Sequence, residues 1–232
     1  MQLSLVFFLA LFSTSGAVSA QVEKSYQIST EDYPPYNYYN SKTKAIVGLA
    51  TNKVRRAMEK SGVEYQIRLY PWLRAYNRAL SAPRHCVYST ARTPDREALF
   101  HWIGPLVTVE WALFAKKGTP AASIQKLEEA RQFVIGGLEG DASLSELKRQ
   151  GFKTESVVTN WLNKDKLVGQ RIQLWIDDPV YIDFEKQKGT EFFDYVKVVK
   201  IASVDLYLAC NIKTPSAEIE LLKKSVAASD SR

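Results

Sequence analysis

Residues 63–89 read VEYQIRLYPWLRAYNRALSAPRHCVYS, and the change of period inside this stretch decides the fold. Val63 to Leu69 alternates apolar and polar side chains, the pattern of a half-buried strand. Pro71 then stands where a helix begins, and Tyr70 through Tyr76 opens one. Cys86-Val87-Tyr88-Ser89 returns to strand. Upstream, Ile46 to Lys60 is helix-like, with apolar Leu49, Val54, Ala57 and Met58, and Gly62 ends it. Before that, Tyr26 to Thr30 is a strand stopped at Glu31-Asp32-Tyr33-Pro34-Pro35-Tyr36, because two prolines cannot continue a central strand. The order β-α-β-α-β predicts an α/β fold, a mostly parallel sheet flanked by helices on both faces.

Downstream the pattern restarts. Trp111 to Ala115 reads as a strand, Ser123 to Ala130 as a short helix, and Phe133 to Ile135 as a strand followed by a flexible turn over Gly136 to Gly140. Ser143 to Arg149 is a helix in which Ser143 and Glu146 are spaced as a capping box. Thr154 to Val158 and Ile172 to Ile176 are strands, and Asn160 to Val168 and Tyr181 to Lys188 are helices. Val196 to Ala209 holds the last strands, and Ser216 to Ala227 a closing helix. Two consecutive α/β units follow from this order, with no internal sequence repeat.

Composition narrows the function classes. In 232 residues, 46% hydrophobic content and 24% charge exclude disordered, collagenous and coiled-coil chains. Cys86 and Cys210 are too few for a disulfide scaffold. Leu3 to Phe12 is an apolar run too short for a bilayer, which needs roughly 20 residues. With Gly16-Ala17-Val18-Ser19-Ala20 behind it, residues 1–20 read as a secretory signal peptide cleaved between Ala20 and Gln21. Export makes nucleic acid an improbable partner for the net charge of +6. The basic residues are also scattered, as at Arg55-Arg56, Arg74, Arg78 and Lys148-Arg149, and form no stripe interleaved with aromatics.

Ligand sites in open α/β sheets form beyond the carboxyl ends of strands. That position holds Ser89-Thr90-Ala91-Arg92-Thr93-Pro94-Asp95-Arg96, with two arginines, three hydroxyls and a break at Pro94. Tyr33, Tyr36, Tyr38 and Tyr39 crowd the opening loop, and flat faces carrying hydroxyls suit a ligand-facing wall. Glu31-Asp32 reads as loop solvation. Trp175 is the expected ligand neighbour, since its strand ends at Asp177-Asp178. His85 and His101 lie in no metal-binding pattern, and Gly140-Asp141-Ala142-Ser143 is no nucleophile elbow. Neither catalysis, nor a metal, nor a cofactor is expected. Cys86 and Cys210 read either as a disulfide, which exported surroundings permit, or as two small buried thiols.

Taken together, several segments resemble the bacterial extracellular solute-binding proteins of family 3, the amino-acid-binding type with the type II periplasmic-binding fold. They are TEDYPPYNYY (Thr30–Tyr39), Gly48, LYPWLRAYNRAL (Leu69–Leu80), STARTPDREALFHWIGPL (Ser89–Leu106), FVIGGLEGDAS (Phe133–Ser143) and GQRIQLWIDD (Gly169–Asp178). The resemblance implies two α/β lobes closing on a small ligand: lobe 1 over 21–108, lobe 2 over 109–206, and a return to lobe 1 over 207–232. Two hinge crossings would lie near Glu110-Trp111 and Val204–Leu206. It also implies that Arg96 grips a ligand carboxylate, with Arg92 a second candidate, since guanidinium matches a planar carboxylate. Ser89, Thr90 and Ala91 would add bonds to that carboxylate, as would the helix start at Asp141 and Ala142. Asp178 or Asp177 would pair the ligand's ammonium, and Tyr33 or Tyr36 would pack over it. The implied ligand is an amino acid or related carboxylate, bound by a monomer in the periplasm for an ABC permease of the inner membrane. A sensor or accessory module without transport is the alternative. The chain departs from the family at Thr51 and Asn52, where many members are acidic, at Gln173-Leu174, and in a shortened C-terminal tail that predicts a reduced brace on lobe 1.

Overall fold

A computed structural model describes residues 25–189 and 194–229. The expected signal peptide lies outside the described residues. The first half runs β1 (Tyr26–Thr30), β2 (Tyr38–Asn40), β3 (Ala45–Val47), α1 (Leu49–Ser61), β4 (Tyr65–Leu69), α2 (Trp72–Ser81) and β5 (His85–Ala91). The second runs β6 (Phe100–Lys116), β7 (Ile135–Leu138), α3 (Ala142–Arg149), β8 (Thr154–Val157), α4 (Leu162–Val168), β9 (Leu174–Asp177), α5 (Pro179–Gln187), β10 (Tyr195–Asn211) and α6 (Ser216–Ser229).

Eight strands join in the order β4-β1-β5-β10-β6-β9-β7-β8, while β2 and β3 form a separate hairpin. The outer pairings β1–β4, β1–β5, β7–β8 and β7–β9 are parallel. In the middle, β6 and β10 run antiparallel from Tyr195 opposite Lys116 to Asn211 opposite Phe100. One end of this ribbon pairs with β5 through Leu206 to Cys210, and the other with β9 through Ala112 to Ala115. Two long strands therefore link both ends of the sheet. The sequence shows only their pieces, because Gly104-Pro105 interrupts the pattern of β6.

Helix α1 shows how the sequence builds the first half. Ala50, Val54, Ala57 and Met58 recur at helical spacing and are fully buried. They share a core with Ile219, Leu222 and Val226 of α6. Each such large side chain contributes about 1.5–3 kcal/mol by leaving water. The closing helix thus packs against α1. Arg84 adds a two-pronged bond to Glu218, at 2.9 and 2.6 Å, and Tyr26 donates its hydroxyl to the same carboxylate. Gly62, at φ +69°, closes α1 in the left-handed conformation that glycine adopts without strain.

Several local expectations need correction. Ile46 and Val47 belong to the β3 hairpin, and α1 begins only after Gly48. Ser123 to Ala130 is not a helix but the end of one 3-10 turn and the start of another. Gly136 and Gly137 lie inside β7 rather than in a flexible turn. A Cβ on Gly136 would stand 2.3 Å from Ile172, and one on Gly137 2.9 Å from both Ile176 and Leu144, so close packing on both faces demands the glycines. The cap of α3 is Asp141, whose carboxylate accepts the Ser143 N–H at 2.8 Å; Ser143 lies inside the helix.

Cys86 and Cys210 sit opposite each other on β5 and β10 and form a disulfide. No helix among the described residues is long and apolar enough to cross a membrane.

Candidate functional site

The site begins with how the tyrosine-rich loop is held. The first N–H groups of α1 have no partners within the helix. Here Leu49 donates to Pro35 O, and Ala50 and Thr51 both donate to Tyr36 O, at 3.0 to 3.2 Å. The loop carbonyls cap the helix. Gly48 permits this approach: its φ is +130°, and a Cβ there would lie 2.3 Å from Tyr36 O. Asn37 then ties the loop down, donating to Glu31 O at 2.8 Å and accepting from the Ser89 hydroxyl. Ser89 itself adopts φ +59°, an uncommon conformation for a non-glycine residue and one that clusters at functional sites.

This fixed loop faces the carboxyl ends of β5, β7 and β9 across a cavity of about 50 Å³. That is several times the ~10–15 Å³ a single water requires. Glu31, Tyr33, Ser89 and Ala91 line it from one half, and Leu138, Asp141, Ser143, Asn160, Ile176 and Asp177 from the other. Val109, Trp111 and Leu206 of the long ribbon complete the wall. Of the residues expected at the site, Tyr33, Ser89, Ala91, Asp141 and Asp177 meet here.

The cavity is acidic. Asp177 accepts from Asn160 Nδ2 at 2.7 Å and from the Asp178 N–H at 2.8 Å. Burial nevertheless pushes its carboxyl well above the usual carboxylate range, and Asp178 and Asp141 push it further. Glu31 retains some accessible surface but lies deep in the cleft. Desolvation holds its carboxyl well above the ordinary range, aided by Asp141 and Asp177 and opposed by Arg96. Burial also raises the Tyr33 hydroxyl, with Asp177 and Asp178 adding to it. Glu31 is therefore a cavity residue rather than loop solvation.

The other expected residues stand elsewhere. Trp175 is fully buried in the core against Tyr181, with ring centroids 6.1 Å apart, and does not reach the cavity. Thr90 is fully buried and points its hydroxyl at Val87 O. Arg92 is exposed and paired with Glu97 at 2.7 and 2.6 Å. Tyr36 donates at 2.6 Å to Asp178, which also accepts the Glu110 N–H at 3.1 Å. These two join the opening loop, the ribbon and the start of α5 beside the cavity. Ala142 lines a neighbouring recess of about 660 Å³.

Arg96 lines that same recess, close enough to Glu31 for its charge to oppose the rise of that carboxyl. Its Nη2 donates to Gly140 O at 2.8 Å and its Nη1 to Ala91 O at 3.5 Å. Its guanidinium lies 5.6 Å from the Trp72 ring and 5.1 Å from the Tyr76 ring. Trp72 Nε1 donates to the same Gly140 carbonyl at 2.9 Å. The two bonds to Gly140 O cross between the halves. Among the described residues no three of His, Cys, Asp or Glu stand close enough to hold a metal ion.

The family model described as bacterial extracellular solute-binding proteins, family 3, matches residues 27–223. No curated protein matches the chain in sequence. Among solved structures, a histidine kinase sensor domain with similarity to periplasmic binding proteins superposes with a TM-score of 0.79 at 16% identity, covering 88% of this chain and 90% of that one. Holo ArgBP from T. maritima gives 0.77 at 14% identity over 90% and 92% of the two chains. The GluR0 ligand-binding core from Nostoc punctiforme, in complex with L-glutamate, gives 0.73 at 12% identity over 88% and 92%. At these identities the likeness shows the fold.

Proposed function

The chain belongs to the family 3 bacterial extracellular solute-binding proteins, and from that premise we propose that its cleft captures a small polar ligand of the amino-acid class in the periplasm, for delivery to a membrane permease. The observation that carries this is the cavity itself. It is polar, lies beyond the carboxyl ends of β5, β7 and β9, and receives walls from both halves of the chain. In this reading residues 21–108 and 207–232 form one lobe and 109–206 the other. The β6–β10 ribbon is the hinge, and closure brings the Arg96–Gly140 and Tyr36–Asp178 bonds into register. The protein acts as an exported monomer whose residues 1–20 are removed.

A sensor module is the second reading, favoured by the likeness to a histidine kinase sensor domain. A thermal-shift panel of amino acids, amines and organic acids tests the binding reading: a dose-dependent rise in melting temperature with at least one compound is expected, and none across the panel would contradict it. Deleting the gene separates the two roles. Loss of uptake of the bound compound supports delivery, whereas unchanged uptake with a lost transcriptional response to it supports sensing.

A further inference from the structure

Strand β4 ends the sheet: among the described residues it pairs with β1 alone. Successive residues of a strand point their N–H and C=O groups to opposite sides. Glu64 O accepts the Tyr26 N–H at 2.8 Å, and the Tyr70 N–H donates to Thr30 O at 2.8 Å, so the even-numbered residues face β1. The N–H and C=O groups of Tyr65, Ile67 and Leu69 therefore point outward, away from β1. The β2–β3 hairpin stands beside this edge without joining its ladder. Hairpin and edge border a groove of about 590 Å³, with Lys44, Ile46, Arg55, Ile67, Arg68 and Tyr70 in its walls.

The groove is basic, and no Asp or Glu lines it. Arg55 donates to Ile46 O at 3.1 Å and Arg68 to the Gln66 side-chain oxygen at 3.0 Å. Beside them, Arg74 and Arg78 lie 4.7 and 5.0 Å from the Tyr70 ring. None of these four arginines forms an ion pair among the described residues. Elsewhere Arg84, Arg92 and Arg149 each find a glutamate. Uncompensated positive charge beside an open edge opposes pairing with a second copy of the same edge. It favours a strand of opposite sign.

We infer that the β4 edge receives an extended acidic segment of a partner protein as an added strand. Its main chain pairs with Tyr65, Ile67 and Leu69, and its carboxylates meet Arg55 and Arg68. In this mode of recognition main-chain bonds supply affinity and side chains supply the choice of partner. Donors and acceptors alternate along the edge, which a polypeptide backbone answers and lipid phosphates, acceptors only, do not. None of the groove's residues lines the cleft cavity, so this surface is separate from ligand capture.

Fluorescence anisotropy tests the inference with labelled, extended peptides in which glutamate alternates with valine, threonine or tyrosine. The controls are the same peptides with lysine in place of glutamate, their fully N-methylated forms, and phosphatidylglycerol vesicles. At least one acidic peptide should bind, and its lysine and N-methylated counterparts should bind at least tenfold more weakly. Binding should slow hydrogen exchange at the Tyr65, Ile67 and Leu69 amides by tenfold or more, and leave the Gln66 and Arg68 amides, which face β1, unchanged. Arg55→Gln combined with Arg68→Gln should weaken binding by tenfold or more. Arg68→Gln alone, at an exposed side chain, should weaken it by at least threefold and serves if the double variant does not fold. Binding of no acidic peptide would overturn the inference. So would binding that leaves the outward amides unprotected, which is charge attraction alone. Binding to the vesicles but to no peptide would overturn it in favour of a membrane surface.

Discussion

Arg96 Nη2 stands 2.8 Å from the carbonyl oxygen of Gly140, an atom that also accepts the Trp72 indole N–H at 2.9 Å. Two donors from one half of the chain thus meet one backbone acceptor from the other. Gly140 has φ +72°, and a Cβ there would stand 2.3 Å from Leu73 Cδ2. The turn before α3 has a geometry that suits glycine and is pressed against α2 from across the cleft.

Replacing Gly140 with Ala should therefore disfavour the closed arrangement, through backbone strain and through contact with Leu73. Small-angle scattering should show a larger radius of gyration, and ligand affinity should fall by about tenfold, or about 1.4 kcal/mol. Adding Leu73→Ala removes the contact but not the strain, and should recover only part of the loss. Unchanged scattering and affinity in Gly140→Ala would rule out this turn as a closure contact.

Glu31 sets a pH dependence whose sign is fixed. Its carboxyl is raised in the folded protein, so folding favours the protonated form. That contribution is fully present below the unfolded value of about 4.3 and is lost as pH rises through the raised folded value. Glu31→Gln keeps a neutral side chain at every pH. The variant should melt higher than the parent at pH 8 in the absence of ligand, and the difference should vanish near pH 4. A melting curve showing Glu31→Gln less stable at pH 8 would contradict this.

Tyr36→Phe deletes the donor 2.6 Å from the buried Asp178 carboxylate. Leaving such a group short of a partner costs about 1–3 kcal/mol. Urea unfolding should move by that amount with an unchanged slope, and a shift under about 0.5 kcal/mol would show that the bond adds little.

The Cys86–Cys210 bridge spans 124 residues of sequence and joins two paired strands on the β5 side of the sheet. Removing a native disulfide typically costs about 2–5 kcal/mol. Reduction, or the double substitution Cys86→Ala and Cys210→Ala, should lower the melting temperature. Ligand affinity at 25 °C should hardly change, because neither cysteine lines the cavity. A melting temperature indifferent to reductant would show that the bridge contributes little.

The parts of this molecule that are periodic were legible in its sequence. Alternation over Val63–Leu69, the apolar spacing in α1 and the stop at Gly62 all record local rules, and the structure follows them. The family-specific segments placed Tyr33, Ser89, Ala91, Asp141 and Asp177 in one region. What could not be read was decided by packing between distant segments. Glu31 looks solvated beside Asp32, and only the approach of distant segments makes it line a cavity. Gly136 and Gly137 look like a turn until Ile172, Leu144 and Ile176 press on both faces of β7. Trp175 shares a strand with Asp177 but lies short of the strand end, where the sheet is covered by Tyr181. One signal for Glu31 was available: it directly follows β1, and carboxyl ends of strands are where such sites form.

The most direct test of the account is a titration of intrinsic tryptophan fluorescence with the amino acid that raises the melting temperature most in the thermal-shift panel, since Trp111 lines the cavity. The parent protein and Asp177→Asn are compared at pH 7.5, with near-ultraviolet circular dichroism confirming that both are folded. The account predicts a saturable change in the parent and an affinity at least tenfold weaker in the variant. No saturable change in the parent, or the same titration curve in both proteins, would contradict it.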